Sequence, residues 1–469
     1  MTAPDLDGAI ATQLRSLVDR GDISILLGAG ASMAVGLPDW ETLAVDILRG
    51  SGVIDSPDVA LAFLRGQDPM LAVEAARGVL SNEEWHDLLA AALYSGSDAP
   101  FPSALHFAVA QLAAQRDAGT TRLFTLNFDT LLEEAVRLAF DEIGRPQHLF
   151  TRASATPRGS ADSLEVHHLH GVISPIAGSG HSDVILGLSD FVGLAERSWQ
   201  YGELQQAVQR GPLILAGTSY RDPDMRDWIY DLTRSNRDAH VATLLARASM
   251  GLSRAQFQHV RDALVAQWRA VGVEPILLQD HADAAQVIRE LTFVNMPGYA
   301  PPRERAARVW QSLCSRFEAL QAEHALALEE DRQELKRILG SDTNVTLWVA
   351  DGEGTLVRWA APDRIYREAT LLKRIPANHD SPWIAGQCLA IDDVIAKEPV
   401  EDPGETRRWR SVVAVPIAVT IPGGPQFTTA VISTATTSPL KDHDLDAWYE
   451  LLGVRANLWS QRLESLPPA

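Results

Sequence analysis

The chain has 469 residues, 46% of them hydrophobic, which is too many for one core and enough for two or three. Asp and Glu outnumber Lys and Arg 61 to 41, giving a formal charge of −20 with no locally concentrated basic patch, so direct nucleic-acid binding is not expected. Two distant cysteines, Cys314 and Cys388, argue against a disulfide framework or a zinc ribbon, and no apolar run approaches the roughly eighteen residues of a membrane span. With early acids and no long apolar run in MTAPDLDGAI, the chain is expected to be cytoplasmic, neither exported nor membrane-bound.

Through residue 295 or so, short apolar runs alternate with helical patterns. Ile23–Leu27, Thr121–Leu126, Glu165–Leu169, Val184–Leu186, Pro212–Ala216 and Glu274–Leu278 read as strands, with amphipathic helices between most of them. This alternation predicts an α/β domain: a Rossmann-like parallel sheet with helices on both faces, whose ligands sit at the carboxyl ends of the strands. A linker follows at Asn295–Pro302, with three prolines and a glycine. Arg303–Leu339 then lacks Gly and Pro and predicts a helical connector. Ala306, Trp310, Leu313, Phe317 and Leu320 step by four and three, the spacing of a coiled-coil seam between subunits; a helix packed on its own domain satisfies the pattern equally. Beyond Thr343 the texture is that of a small α+β module with an antiparallel sheet. Its strand candidates are Val345–Ala350, Arg410–Ile417 and Phe427–Ser433, with turns at Asp351–Gly354 and Pro422–Pro425 and a closing helix Leu445–Leu463. The expected domains are therefore 1–295, a connector 296–340, and 341–469.

The most informative stretch is ISILLGAGAS, residues 23–32: a strand that runs into a loop almost bare of side chains. Such a loop lets a ligand approach the backbone closely and aims amides at a pyrophosphate, although G-x-G after a strand also makes a plain tight turn. The residues that follow extend the pattern to Gly28-Ala29-Gly30-Ala-Ser32-Met-Ala-Val-Gly-Leu-Pro38-Asp39. Thr125-Leu-Asn127-Phe-Asp129, Leu169-His170-Gly171 and Gly217-Thr218-Ser219 then occur in order, each after a strand candidate.

This set resembles the sirtuin superfamily over about Leu14 to Val294. The resemblance implies that Gly28, Ala29, Gly30 and Ser32 hold the diphosphate of NAD, that Pro38 and Asp39 close over the nicotinamide end, and that Asn127 and Asp129 line the nicotinamide ribose. It implies that Gly217, Thr218 and Ser219 take the adenosine half and that His170 is the general base. The chemistry suits these residue types. Breaking the nicotinamide glycosidic bond builds positive charge on the ribose, so a neutral polar group must fix the sugar, and a base near neutrality must take a proton.

Two departures matter. Sirtuin deacylases carry two C-x-x-C pairs after the His-Gly motif, and here no cysteine precedes Cys314. Tyr220–Trp228 instead looks like the corresponding stretch of bacterial sirtuin-like defence effectors, which hydrolyse NAD when a phage infects the cell. That implies an NAD hydrolase with NAD as substrate and no metal; the alternatives are a sensor that binds NAD or ADP-ribose without turning it over, and a zinc-free deacylase or ADP-ribosyltransferase. Three histidines, His167, His168 and His170, point to both faces of one strand and lack a fourth ligand, which argues against a metal site. Asn127 could instead cap a helix beginning at Phe128, and Asp222–Asp224 could be a helix start. Trp40, Trp199 and Trp228 read as core or pocket wall.

Residues 341–469 resemble a GAF domain through Pro382–Gln387, Ser411–Ile417, Ala430–Ser433 and the terminal helix. The resemblance implies a regulatory module that takes a small-molecule or phage-derived trigger within a homo-oligomer. The signature of cyclic-nucleotide-binding members is not present.

Overall fold

The computed structural model describes residues 6–95, 100–145, 148–156, 163–175, 184–193, 198–218, 223–236, 238–398 and 408–466. It divides into two units that do not follow chain order. One comprises 16–245 and 260–276; the other comprises 1–15, 246–259 and 277–469.

Seven strands form the first sheet: β1 Ile23–Leu27, β2 Thr121–Thr125, β3 Leu149–Arg152, β4 Leu164–His168, β5 Leu213–Ala216, β6 Val241–Ala246 and β7 Val273–Leu278, in the order β3-β4-β2-β1-β5-β6-β7. Parallel pairing joins β3 to β4, β4 to β2, β2 to β1, β1 to β5 and β5 to β6. Every residue of β1 is buried, as a central strand covered on both faces requires. Strand order reverses at β1, so the crevice between the carboxyl ends of β1 and β5 is the natural ligand position.

The predicted strand at Val184–Leu186 is not formed. A backbone bond, Ile185 N–H to the His170 carbonyl at 2.9 Å, ties that stretch down beside the sheet. Two strands absent from the sequence reading, β3 and β6, complete the sheet.

Four of the helices between β1 and β2, Trp40–Gly50, Pro57–Arg65, Pro69–Arg77 and Asn82–Leu93, share a core of Leu43, Ile47, Leu64, Val73, Trp85 and Leu89. Their starts are written in local chemistry. Asp39 and Asp68 each accept a backbone N–H of the first turn, and Ser81 with Glu84 forms a capping box.

The second sheet is antiparallel, with β8 Thr343–Ala350, β9 Thr355–Ala360, β10 Arg374–Pro376, β11 Ile395–Lys397, β12 Ser411–Val419 and β13 Phe427–Thr436 in the order β10-β9-β8-β13-β12-β11. The connector is two helices, Pro302–Ser315 and Phe317–Leu339, that break at Arg316. Its seam residues pack inside the chain, the second of the two uses that the spacing allows. Ala306, Leu313 and Leu320 are buried in the core of this sheet, and Trp310 and Phe317 meet the buried Trp359 edge-on at ring distances of 5.8 and 5.4 Å. The Trp359 indole N–H donates to His324 Nδ1 at 2.7 Å. Closing helix Leu445–Glu464 joins the same core through Trp448 and Trp459.

Helix His281–Glu290 belongs to this second unit as well. Glu290 pairs with Arg305, both wholly buried, and the Arg305 guanidinium lies 4.5 Å over the Phe427 ring. Arg289 pairs with Asp392 at 3.2 Å, and Gln286 donates to the Gln426 carbonyl at 3.1 Å. Among the described residues, no helix is long and apolar enough to cross a membrane.

Candidate functional site

The bare loop has a structural reason. Gly28 and Gly30 follow β1, Gly217 follows β5, and the two loops touch backbone to backbone: the Gly30 N–H donates to the Gly217 carbonyl at 2.9 Å. A Cβ on Gly28 would stand 2.7 Å from both the Gly217 oxygen and the Thr218 Cα, and one on Gly30 would stand 3.0 Å from that oxygen. Gly217 itself has φ +65, the left-handed region that favours glycine. The glycines therefore build the floor of the crevice by lying against each other. Ala29 sits between them, at the start of the four-residue helix Gly30–Met33, and Thr218 is half-buried. Ser219 lies outside the described residues.

Beside this floor, three of the expected residues converge. The Ser32 hydroxyl donates to Asp129 Oδ2 at 2.7 Å and accepts from Asn127 Nδ2 at 2.8 Å, and all three side chains are buried. Ser32 thus bridges the two residues that follow β2. Asp129 Oδ1 accepts the Leu131 N–H at 3.0 Å, at the head of helix Leu131–Glu142. That helix begins three residues later than the capping alternative for Asn127 requires, and the Asn127 amide goes to Ser32 instead. The Asn127 backbone N–H donates to Thr125 Oγ1 at 3.0 Å. Asp39 acts as the N-cap of helix Trp40–Gly50, accepting from the Thr42 N–H at 2.8 Å, with half-buried Pro38 just before it.

His170 follows β4, the neighbour of β2, and is buried. Its ring lies 5.9 Å from Phe191 and 6.2 Å from Trp228, so Trp228 is wall to this histidine. Trp40 packs on the core of the four helices named above, and Trp199 on a cluster around Leu204 and Leu215. The helix start read near Asp222 is realised as Pro223–Ser235, with Asp222 itself outside the described residues.

The other two histidines go separate ways. His167 stacks on Phe124 at 4.9 Å; burial, with Arg152 and Arg122 nearby, pushes its pKa down to about 3, so it is neutral at physiological pH. His168 turns to the Asn127 side, where Nδ1 lies 3.0 Å from the Asn127 carbonyl oxygen and Nε2 lies 2.8 Å from Glu133 Oε1. Burial opposes a charge on His168, yet the Glu133 carboxylate holds its pKa above the ordinary histidine value. Burial likewise opposes the charge on Glu133, and His168 with the hydrogen bond from Thr151 (2.7 Å) brings that carboxyl below its usual range. The sequence reading missed both His168 and Glu133 as part of the site. The available signal was register: His168 pairs with Thr125 in the β4·β2 ladder, which sets it beside the residues that follow β2. No cluster of metal-ligating side chains occurs among the described residues.

Residues 121–276 match the family model of the SIR2-like domain. Over that span, about a third of its length, the chain is similar to the SIR2-like domain. The matched span runs from β2 into β7 and includes Asn127, Asp129, His170 and Gly217. One curated relative, the uncharacterised protein y4cA of Sinorhizobium fredii, is 26% identical over 286 residues, 58% of this chain and 22% of the relative. The chain thus spans under a quarter of that protein's length. Among solved structures, a Sir2 homologue in complex with NAD is 14% identical, with 60% of this chain and 93% of that one covered at a TM-score of 0.32. A second, Sir2 with the inhibitor EX-527, 2'-O-acetyl-ADP-ribose and a deacetylated p53 peptide, is 15% identical, with 59% and 96% covered at a TM-score of 0.28.

Proposed function

We propose that this SIR2-like domain hydrolyses NAD to nicotinamide and ADP-ribose. The observation that carries the reading is the buried Asn127–Ser32–Asp129 bridge, set beside the glycine floor at the point where the strand order of the sheet reverses. Diphosphate oxygens would lie along the bare backbone of Gly28–Ser32, and Gly217, Thr218 and Ser219 would face the adenosine half. Asn127 and Asp129 would hold the nicotinamide ribose as its carbon–nitrogen bond breaks and the electron pair leaves with nicotinamide. Water then bonds to the ribose carbon and gives its proton to His170, whose Phe191 and Trp228 neighbours limit access of bulk water. The lack of any cysteine before Cys314 favours hydrolysis over zinc-ribbon deacylation.

The proposal extends to the whole chain: residues 1–295 act as an anti-phage effector whose NAD depletion is governed, through 296–340, by a GAF-like module at 341–469. Purified full-length protein is incubated with NAD, with and without an acylated peptide, and free nicotinamide is measured. Release is expected without peptide and is expected to vanish in Asn127→Ala and His170→Ala variants that keep the wild-type circular dichroism. Release that requires the peptide, or that survives either substitution, overturns the reading.

A further inference from the structure

His168 has no role in the scheme above, yet it touches the residue at the scheme's centre. The Asn127 carbonyl oxygen offers only lone pairs, so His168 Nδ1, 3.0 Å away, must carry a hydrogen. The opposite ring nitrogen faces a carboxylate oxygen at 2.8 Å, so the pair holds one further proton between Nε2 and Glu133. Other ionisable groups around the pair do not compete for this charge. Burial keeps His106 and His167 neutral and holds the Tyr94 phenol protonated, while Asp129 adds to the attraction for a cation at His168. Glu133 Oε1 also takes the Thr151 hydroxyl. Asn127 is therefore held three ways: at its N–H by Thr125, at its side-chain amide by Ser32, and at its carbonyl by a charged histidine.

We propose that His168, doubly protonated between the Asn127 carbonyl and Glu133, is a positioning residue that fixes Asn127 for the reaction, and that loss of its proton sets the alkaline limit of turnover. The inference rests on the reading of the site as an NAD hydrolase. A neutral imidazole donates at one nitrogen only. If Nδ1 keeps its hydrogen, lone pairs on Nε2 and Glu133 face each other; if Nε2 keeps it, the Asn127 carbonyl faces a lone pair. Either way one contact turns repulsive when the proton leaves to solvent. With the hydrogen on Nε2 Asn127 loses its third anchor, and with it on Nδ1 the repulsion from Glu133 unseats the ring that holds the Asn127 carbonyl; a displacement of about 1 Å at such a residue costs on the order of 100-fold in rate.

The test uses full-length protein with 15N-labelled histidine, the His168 signals being assigned from their loss in His168→Gln. Without NAD, the wild-type ring is expected to keep its second proton to higher pH than an ordinary histidine does, and Glu133→Gln to lose it at lower pH than wild type. Nicotinamide release is then followed against pH. Glu133→Gln should move the alkaline limb down by about one unit or more; His168→Lys, a cation that does not discharge in this range, should move it up; and His168→Gln should lower kcat by ~100-fold with little change in KM. A wild-type ring that is neutral at about pH 7, or limbs that superimpose in wild type and His168→Lys, overturns the proposal. If Glu133→Gln does not fold, the wild-type titration and His168→Lys still decide it. A charged ring in a protein that releases no nicotinamide sinks the hydrolase reading and leaves the His168–Glu133 latch standing.

Discussion

Ser32→Ala separates two roles for one hydroxyl. If Ser32 only touched the diphosphate, its loss would weaken NAD binding and leave the free protein unchanged. The structure gives it a prior duty, because its oxygen donates to Asp129 at 2.7 Å and accepts from Asn127 at 2.8 Å, with all three residues at least nine-tenths buried. Alanine removes both bonds and strands a carboxylate oxygen and an amide N–H in a place without bulk water. Each stranded group costs about 1–3 kcal/mol, the carboxylate towards the upper end, so the free protein should lose about 3–5 kcal/mol, roughly a fifth or more of a typical domain's stability. The Asn127 amide, released from Ser32, no longer has one orientation, so kcat should fall by about two orders of magnitude with KM changed less. Urea unfolding without NAD, together with steady-state nicotinamide release, reads both effects. A variant whose unfolding free energy lies within about 0.5 kcal/mol of wild type, with kcat intact, would refute the bridge.

Gly28→Ala should lower the urea midpoint by the equivalent of about 1–3 kcal/mol and abolish NAD binding by calorimetry, since its Cβ meets backbone at 2.7 Å; Gly202→Ala, mid-helix with nothing within 4 Å, should raise stability by up to about 1 kcal/mol. The acid response follows from His167 and His324, with pKa values pushed down by burial to about 3 and about 4, so the unfolded chain takes the proton first as pH falls. Their contribution is complete above about pH 6.5 and is lost below it at about 1.4 kcal/mol per pH unit for each group. In His324→Gln, which keeps an acceptor for the Trp359 N–H, the slope of unfolding free energy between about pH 6 and 4.5 should be shallower by that amount, measured by urea titration.

What could be read in advance depended on the range of the interaction. Ile23–Leu27, four aliphatic residues in five, is bounded in the structure as the sequence suggests, and Asp39, Ser81 and Glu84 mark helix starts by bonds to residues three away. Val184–Leu186 has the composition of a strand and makes none, because composition does not state whether a partner edge is free. Val241–Ala246 was legible as an apolar run and was not read; Leu149–Arg152 pairs only with β4 and carries a weak signal. Glycines at 28, 30 and 217 were recognisable as a ligand-edge pattern, but their contact with each other arises from β1 and β5 being neighbours across 185 intervening residues. Likewise Ser32 and Asp129 are 97 residues apart, and His168 and Asn127 are 41 apart. Side-chain roles created by sheet order stay hidden until the order is known.

Unit boundaries change what a truncation after Met296 can test. As a cut at a Pro-rich linker it looks clean, leaving a complete catalytic domain and removing a module. Yet helix His281–Glu290, which precedes the cut, sits in the same unit as the module. Its anchors are Arg305 for Glu290, Asp392 for Arg289 and the Gln426 carbonyl for Gln286, and the neighbouring Asp280 accepts the His379 N–H at 3.0 Å. All four partners lie beyond the cut. Breaking a buried ion pair alone costs about 3–5 kcal/mol, and Arg305→Met in the full chain should show that much by leaving Glu290 buried and unpaired. Residues 1–296 should therefore unfold at lower urea or aggregate, and their lost activity would report lost structure. A fragment with the wild-type urea midpoint and unaltered nicotinamide release would show instead that the helix stands without the module, and that residues 297–469 neither support nor restrain the site.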